Sequence, residues 1–160
     1  IQEAGQALLG EHGYRQYETS AYAQPGRQAR HNLNYWTFGD FLGIGAGAHA
    51  KLSHADGRIL RSWKTRLPKD YLDPAKAFRA GEKQLTADEL PFEFLMNVLR
   101  LTDGVPAVLF TQRTGLALDA IAKPRRDAEA RGLLSNDPDR LVATPKGQLF
   151  LNDLLQSFLP

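Results

Sequence analysis

Apolar residues in Ile1-Gln-Glu-Ala-Gly-Gln-Ala-Leu-Leu9 recur at helical spacing, predicting an amphipathic helix over 1–12 that Gly13 ends. Tyr14 to Tyr22 alternates and reads as a strand, and helix, short turn and strand make one αβ unit. Gln24-Pro25-Gly26 is a turn, and a basic loop from Arg27 to Arg30 follows it. Phe41 to Ala50 reads as a buried strand. Lys51 to Leu67 reads as a hairpin about Asp56-Gly57, with Ile59, Leu60 and Trp63 supplying its apolar positions. Asp73-Pro74 predicts a short helix to about Gly81, because proline suits the first helical position.

The pattern then turns helical. Thr86-Ala-Asp-Glu89 has capping-box spacing ahead of a helix from Leu90 to Leu101, closed by Asp103-Gly104. Val108 to Arg113 is a short helix and Thr114-Gly115 a turn. Leu118 to Arg131 is another helix, in which Pro124 sits in the first turn or makes a kink. Leu133-Leu134 and Leu141-Val142 flank the polar turn Asp137-Pro138-Asp139-Arg140 as a small hairpin. Thr144-Pro145 opens a last helix with Leu149, Phe150, Leu154, Leu155 and Phe158 on its apolar side. Three helices, a two-stranded wing and a helix give a winged-helix-like order. The chain therefore reads as α/β to α+β, divided at 1–50, 51–85 and 86–160.

Composition narrows the class. With 160 residues, 42% hydrophobic and 24% charged, the chain is globular in type and long enough to bury a core. No apolar run nears the ~20 residues that span a bilayer, and no signal-peptide pattern opens the sequence. The absence of cysteine excludes disulfides and thiolate metal sites within this chain and is compatible with a cytoplasmic location. The first residue is Ile1 and a helix is already under way there, so the expectation is a C-terminal piece of a longer protein. Residues 1–85 hold 12 Lys/Arg against 8 Asp/Glu, and residues 86–160 hold 8 against 10. An anionic partner is expected at the first half.

Candidate chemistry gathers in His31-Asn-Leu-Asn-Tyr-Trp36 and Gly43-Ile-Gly-Ala-Gly-Ala-His49. The first places an imidazole, two carboxamides, a phenol and an indole together. Each has a structural use, but as a cluster they suit iron ligation, orientation of a polar ligand and a flat wall for a macrocycle. The second has glycine at alternate positions, for tight packing or for close approach of a ligand to backbone. It lacks the Rossmann spacing and the P-loop ending, and His49 with His54 has too little carboxylate support for zinc. Arg58, Arg61, Lys64 and Arg66 are either a solvated strand face or a clamp for carboxylates such as propionates. Lys123, Arg125, Arg126 and Arg131 would lie on a DNA-recognition helix, but Asp119, Asp127 and Glu129 share it and the segment is net acidic. A structural cap is the better reading there, and no nucleic-acid partner is expected.

At His31-Asn32-Leu33-Asn34-Tyr35-Trp36 and Asp40 to His49 the chain resembles the radical S-adenosylmethionine proteins related to oxygen-independent coproporphyrinogen III oxidase. Within that group it looks most like the heme chaperone branch. Tyr17 to Ala23, Pro25-Gly26, Arg61, Lys64-Thr65-Arg66 and Pro91-Phe92-Glu93-Phe94 extend the likeness over nearly the whole chain. The resemblance implies an upstream partial (β/α) barrel with a [4Fe–4S] cluster and S-adenosyl-L-methionine. This chain would supply the last barrel elements, a β linking region and the winged-helix-like domain. It implies heme binding at His31, Asn32 and Tyr35, with His31 as the iron ligand and with Arg61, Lys64 or Arg66 meeting propionates. Gly43, Gly45, Gly47 and His49 would form a wall of the S-adenosylmethionine site. Ala29 stands where many relatives have cysteine, which removes a thiolate but not the imidazole. Heme or porphyrin and heme-acceptor proteins are the implied partners, including respiratory enzymes at the membrane, with the protein cytoplasmic or peripheral. The alternatives are the oxidase, which converts two propionates of coproporphyrinogen III to vinyl groups, and a winged-helix nucleic-acid module. Because cluster thiolates are lacking, the 160-residue chain incubated with a reductant should release no 5′-deoxyadenosine from S-adenosylmethionine; chromatographic detection of that product would refute the expectation.

Overall fold

The computed structural model describes residues 2–160; residue 1 of the first expected helix lies outside them. The elements in order are α1 (Gln2–Glu11), β1 (Arg15–Glu18), β2 (Ala21–Ala23), α2 (Arg30–Trp36), β3 (His49–Ser53), β4 (Ile59–Lys64), α3 (Pro68–Tyr71) and β5 (Arg79–Gln84). Then follow α4 (Leu90–Val98), β6 (Val105–Pro106), α5 (Val108–Thr114), a 3-10 turn (Leu118–Ile121), α6 (Ala122–Ala130), β7 (Arg140–Leu141), α7 (Pro145–Leu149) and α8 (Leu151–Gln156). Helices are combined with three small antiparallel sheets, and the described residues form no closed barrel. No helix among them is long and apolar enough to cross a membrane.

The chain divides into two units, one made of the residues up to Phe38 with Pro91–Pro160, the other of Gly39–Leu90. In the first, Phe94, Leu95, Val98 and Leu99 of and after α4 are fully buried, at the spacing of one helical face. The backbone N–H of Thr86 donates to Glu89 Oε2 at 3.0 Å just ahead of α4, one half of the capping box. The expected strand over 14–22 is instead a hairpin: β1 pairs with β2, and a register irregularity between Gln16 and Glu18 lets Thr19 and Ser20 turn the chain. Its outer edge is covered by the stretch after α4, through Thr19 N–H to Arg100 O at 2.9 Å and Thr102 N–H to Tyr17 O at 3.1 Å.

The helical region follows the expected order, with three local differences. Leu118 to Arg131 opens as a 3-10 turn, and Pro124 takes the first turn of α6, where its missing N–H costs nothing. The wing segment pairs β7 with β6, while the expected partners meet only at the Leu134–Ala143 bridge. The last helix breaks at Phe150 (φ −112°, ψ 42°), which shifts the register so that Leu154 and Phe158 bury while Leu149 and Phe150 stay exposed. Of the cations assigned to a recognition helix, Arg125 is spent internally, on Glu129 at 2.8 Å and the Asp137 carbonyl at 2.5 Å.

The second unit is the sheet β3-β4-β5 with the segments that cover it. The expected hairpin about Asp56-Gly57 is present, with His49 opposite Trp63 and Lys51 opposite Arg61. A third strand, β5, replaces the helix expected over 73–81. Pro68 starts α3 instead, and Asp73 Oδ1 accepts the Ala75 N–H at 2.9 Å, closing a turn that leads into β5. The expected strand over 41–50 is a loop up to His49: only Phe41 bridges, to Lys51, and Ile44 is 88% exposed.

Lys51 is 1% exposed in β3 and donates to Asp40 Oδ1 at 2.8 Å, while Ser53 offers Asp40 its N–H at 2.9 Å and its hydroxyl at 2.9 Å. Partial burial pushes the Asp40 carboxyl pKa up, but hydrogen bonds from Lys51 and Ser53, and the Lys51 charge, outweigh it and hold the value below the ordinary 3.8. The unfolded chain thus takes the proton more readily. The pair's stabilisation is complete above the unfolded pKa and is lost as pH falls through the folded one. Asp40→Asn takes the carboxylate away from the buried Lys51 ammonium and should cost about 2 kcal/mol at pH 7, less than for a fully buried pair because Asp40 is partly exposed. Urea unfolding at pH 7 and pH 3 checks this; the difference from wild type should shrink at the lower pH.

Candidate functional site

The helix α2 carries the histidine-led cluster. It starts after extended Ala29, whose carbonyl accepts the Leu33 N–H at 3.0 Å, and closes where Thr37 Oγ1 donates to Leu33 O at 2.8 Å. Phe38 then takes φ 56°, a left-handed conformation that a bulky residue holds only at a cost. Its ring is buried edge-on to Phe94 at 5.5 Å, and Phe94 is edge-on to Phe110 at 5.4 Å. This aromatic chain holds the turn in place and fixes the end of α2.

Two further contacts fix the helix. Asn32 Nδ2 donates to Tyr17 Oη at 3.3 Å. The Arg100 guanidinium lies 4.3 Å from the centre of the Trp36 ring, and Arg100 Nη2 donates to Glu18 Oε2 at 3.1 Å and to Ser20 Oγ at 3.3 Å. Glu18 is 2% exposed and also accepts the Ser20 N–H and hydroxyl at 3.1 and 2.8 Å. These bonds compensate a carboxylate removed from water.

His31 and Tyr35, one turn apart, share the outward face of α2, their rings edge-on at 4.5 Å and 89°. His31 is exposed, and no hydrogen bond reaches its ring among the described residues. The structure thus brings His31 and Tyr35 together on a fixed helix, while Asn32 points to Tyr17. An imidazole held this way can take a metal from solvent.

Gly43, Gly45, Gly47 and His49 lie in the other unit, where the chain's own backbone accounts for the glycines. A Cβ on Gly43 would stand 2.2 Å from His49 O. Gly45 has φ 106° and gives its N–H to Tyr71 Oη at 3.2 Å, and the Gly47 N–H goes to Thr65 O at 2.9 Å. The His49 ring stacks on Trp63 at 6.5 Å. Of the three candidate propionate contacts in this unit, Arg61 lies 5.9 Å from the Phe41 ring centre and Lys64 Nζ 4.4 Å from that of Phe78, while Arg66 is exposed. Arg61 and Lys64, three residues apart on one strand, point to opposite faces and do not form one clamp. No three His, Cys, Asp or Glu side chains gather as a metal site among the described residues. Sequence reasoning missed Arg100 altogether. It lies far from α2 in the chain, so no spacing signal could have joined them.

Fold and motifs together define the class, and residues 85–150 match the HemN C-terminal domain. The chain thus carries a HemN C-terminal domain and is similar over nearly its whole length to proteins named as heme chaperones. It is 48% identical over 159 residues to the heme chaperone HemW of Escherichia coli (strain K12), covering 99% of this chain and 42% of that protein. Against the heme chaperone HemW of Haemophilus influenzae the identity is 45%, covering 99% and 41%; against that of Bacillus subtilis (strain 168) it is 31%, covering 92% and 39%. The solved structure of coproporphyrinogen III oxidase (HemN) from Escherichia coli, a radical SAM enzyme, superposes with a TM-score of 0.66 at 17% identity, covering 99% of this chain and 40% of that one. The chain thus spans about two fifths of the length of the relatives it matches.

If the His49 backbone is what demands glycine at 43, Gly43→Ala should destabilise by about 1–3 kcal/mol, as overpacking does. Gly10→Ala in α1, where a Cβ meets nothing within 4 Å, should stabilise by about 0.5–1 kcal/mol. Paired thermal melts of the two variants check both signs.

Proposed function

We propose that this chain is part of a radical S-adenosylmethionine family heme chaperone, binding heme as cargo and passing it to acceptor proteins. The observation that carries this reading is the His31–Tyr35 pair, with His31 exposed and Tyr35 half-buried beside it, on a helix that is fixed elsewhere. His31 is the proposed iron ligand, and Tyr35 holds its ring and walls the macrocycle. Asn32 acts indirectly: its bond to Tyr17 sets the angle at which α2 presents His31. The likeness to named heme chaperones over nearly the whole chain supports the same reading.

The remaining assignments follow from it. The residues present do not fit an iron–sulfur cluster, because the chain has no cysteine, so the cluster and S-adenosylmethionine belong to the rest of the protein. Gly43, Gly45, Gly47 and His49 border S-adenosylmethionine there, and Arg61, Lys64 and Arg66 are the proposed contacts for carboxylates. The three stretches 1–50, 51–85 and 86–160 are the proposed division of labour: presentation of heme, linkage, and a helical cap. The cytoplasm, with contact to membrane-bound respiratory acceptors, is the proposed setting.

Heme titration of the intact protein, wild type against His31→Ala, tests the reading. Loss of the ligation bands and at least a tenfold weaker affinity are expected, about 1.4 kcal/mol or more. An unchanged Soret spectrum and affinity would remove His31 from the site. Formation of protoporphyrinogen from coproporphyrinogen III under anaerobic conditions, without heme binding, would favour the oxidase instead.

A further inference from the structure

The unit that carries His31 also holds two buried donors with nothing to donate to. Trp36 Nε1 and Arg100 Nε are both shielded from solvent, and neither has a hydrogen-bond acceptor among the described residues. They belong to stacked groups, with the Arg100 guanidinium 4.3 Å from the Trp36 ring centre. The geometry of the ion pair explains why: Arg100 reaches Glu18 and Ser20 through Nη2, leaving the Nε donor of its fork unused. The Arg100 side chain is 28% exposed, so its outer edge meets solvent. A buried N–H without an acceptor bears its full desolvation penalty. Two such groups side by side, on a cation, call for an anionic oxygen acceptor.

We propose that Trp36 and Arg100 form a carboxylate subsite beside α2, filled by a propionate of the tetrapyrrole that His31 ligates. The inference deepens the heme reading and rests on it. A carboxylate has two oxygens, so it engages Nη1 of Arg100 and, with a small shift of the indole, the covered Nε and Nε1 donors. Planar, multidentate recognition of this kind suits arginine and not lysine. Glu18, by holding Nη2, fixes the guanidinium plane and makes Arg100 a directed anchor. Trp36 follows His31 by five residues, about 7.5 Å along the axis and about 140° round it, so a ligand on the imidazole has to reach round α2 to meet the anchor.

The test uses the intact protein with metal-free protoporphyrin IX and its dimethyl ester, followed by fluorescence, so that iron ligation plays no part. The wild type should prefer the free acid. Arg100→Lys, which keeps the charge, and Trp36→Phe, which keeps the stack but removes the N–H, should each weaken the free acid roughly tenfold, as losing one charge-assisted hydrogen bond does. Binding of the ester should fall by clearly less, by the part that comes from loosening α2. His31→Ala should leave the preference for the acid intact while abolishing the iron-dependent bands with hemin. Equal binding of acid and ester by the wild type would assign the donors to a buried water and overturn the subsite. So would equal weakening of both ligands in the variants, or transfer of the whole effect to Arg30→Gln at the start of α2. Heme bound through His31 with no acid preference sinks this inference alone; no tetrapyrrole binding at all sinks the heme reading and the inference with it.

Discussion

A buried glutamate decides how the first unit is assembled. Glu18 is almost wholly removed from water, and its carboxylate is matched by Arg100, 82 residues further along the chain. Burying that charge is affordable only with several good partners, and the Ser20 N–H and hydroxyl supply the rest. The pair is also directional. The backbone bonds from Thr19 to Arg100 and from Thr102 to Tyr17 lay the β1–β2 hairpin alongside the end of α4. Arg100, oriented by Glu18, then offers its flat face to Trp36. Removing Glu18 would therefore loosen the helix that presents His31 without touching His31 itself.

The second unit solves a comparable problem with the opposite sign. Here the deeply buried group is the cation, Lys51, and the partly exposed partner is the carboxylate of Asp40. The arrangement suits each residue type: a lysine stem buries apolar length along β3, while a carboxylate near the edge collects backbone and hydroxyl donors from Ser53. Holding Asp40 against Ser53 also sets where Phe41 crosses Lys51, and that crossing starts the glycine loop.

Local signals were legible in the sequence, and long-range ones were not. Thr86 to Glu89, Asp56-Gly57 and Thr144-Pro145 act within a few residues, and each appears in the structure as the hydrogen bond or turn its chemistry requires. The segment 41–50 misled because its apolar run resembles a buried strand, whereas the positive φ at Gly45 and the near-contact of Gly43 with the His49 backbone demand a loop. The helix expected after Pro74 lost to the Asp73 turn, a competition between two local rules that spacing cannot settle. In the candidate site, His31 and Tyr35 were visible as members of one cluster but not as neighbours on a helix, and the role of Asn32 depends on Tyr17 and that of Trp36 on Arg100. Those partners come from other elements, so only folding reveals them.

The way α2 is fixed bears on what a carrier needs. An enzyme gains from enclosing its substrate, because exclusion of water strengthens the interactions that act on the transition state. A chaperone must release its cargo, so a ligand buried on all sides would work against it. In this chain immobilising contacts fall on Asn32, Trp36 and Phe38, while His31 stands exposed with its ring edge-on to Tyr35. The conformational cost of presenting the imidazole is thus met by folding, before any ligand arrives. Under the proposed function, preorganisation of α2 with an exposed His31 would let binding be firm enough to capture a macrocycle while leaving the metal within reach of a competing ligand from an acceptor.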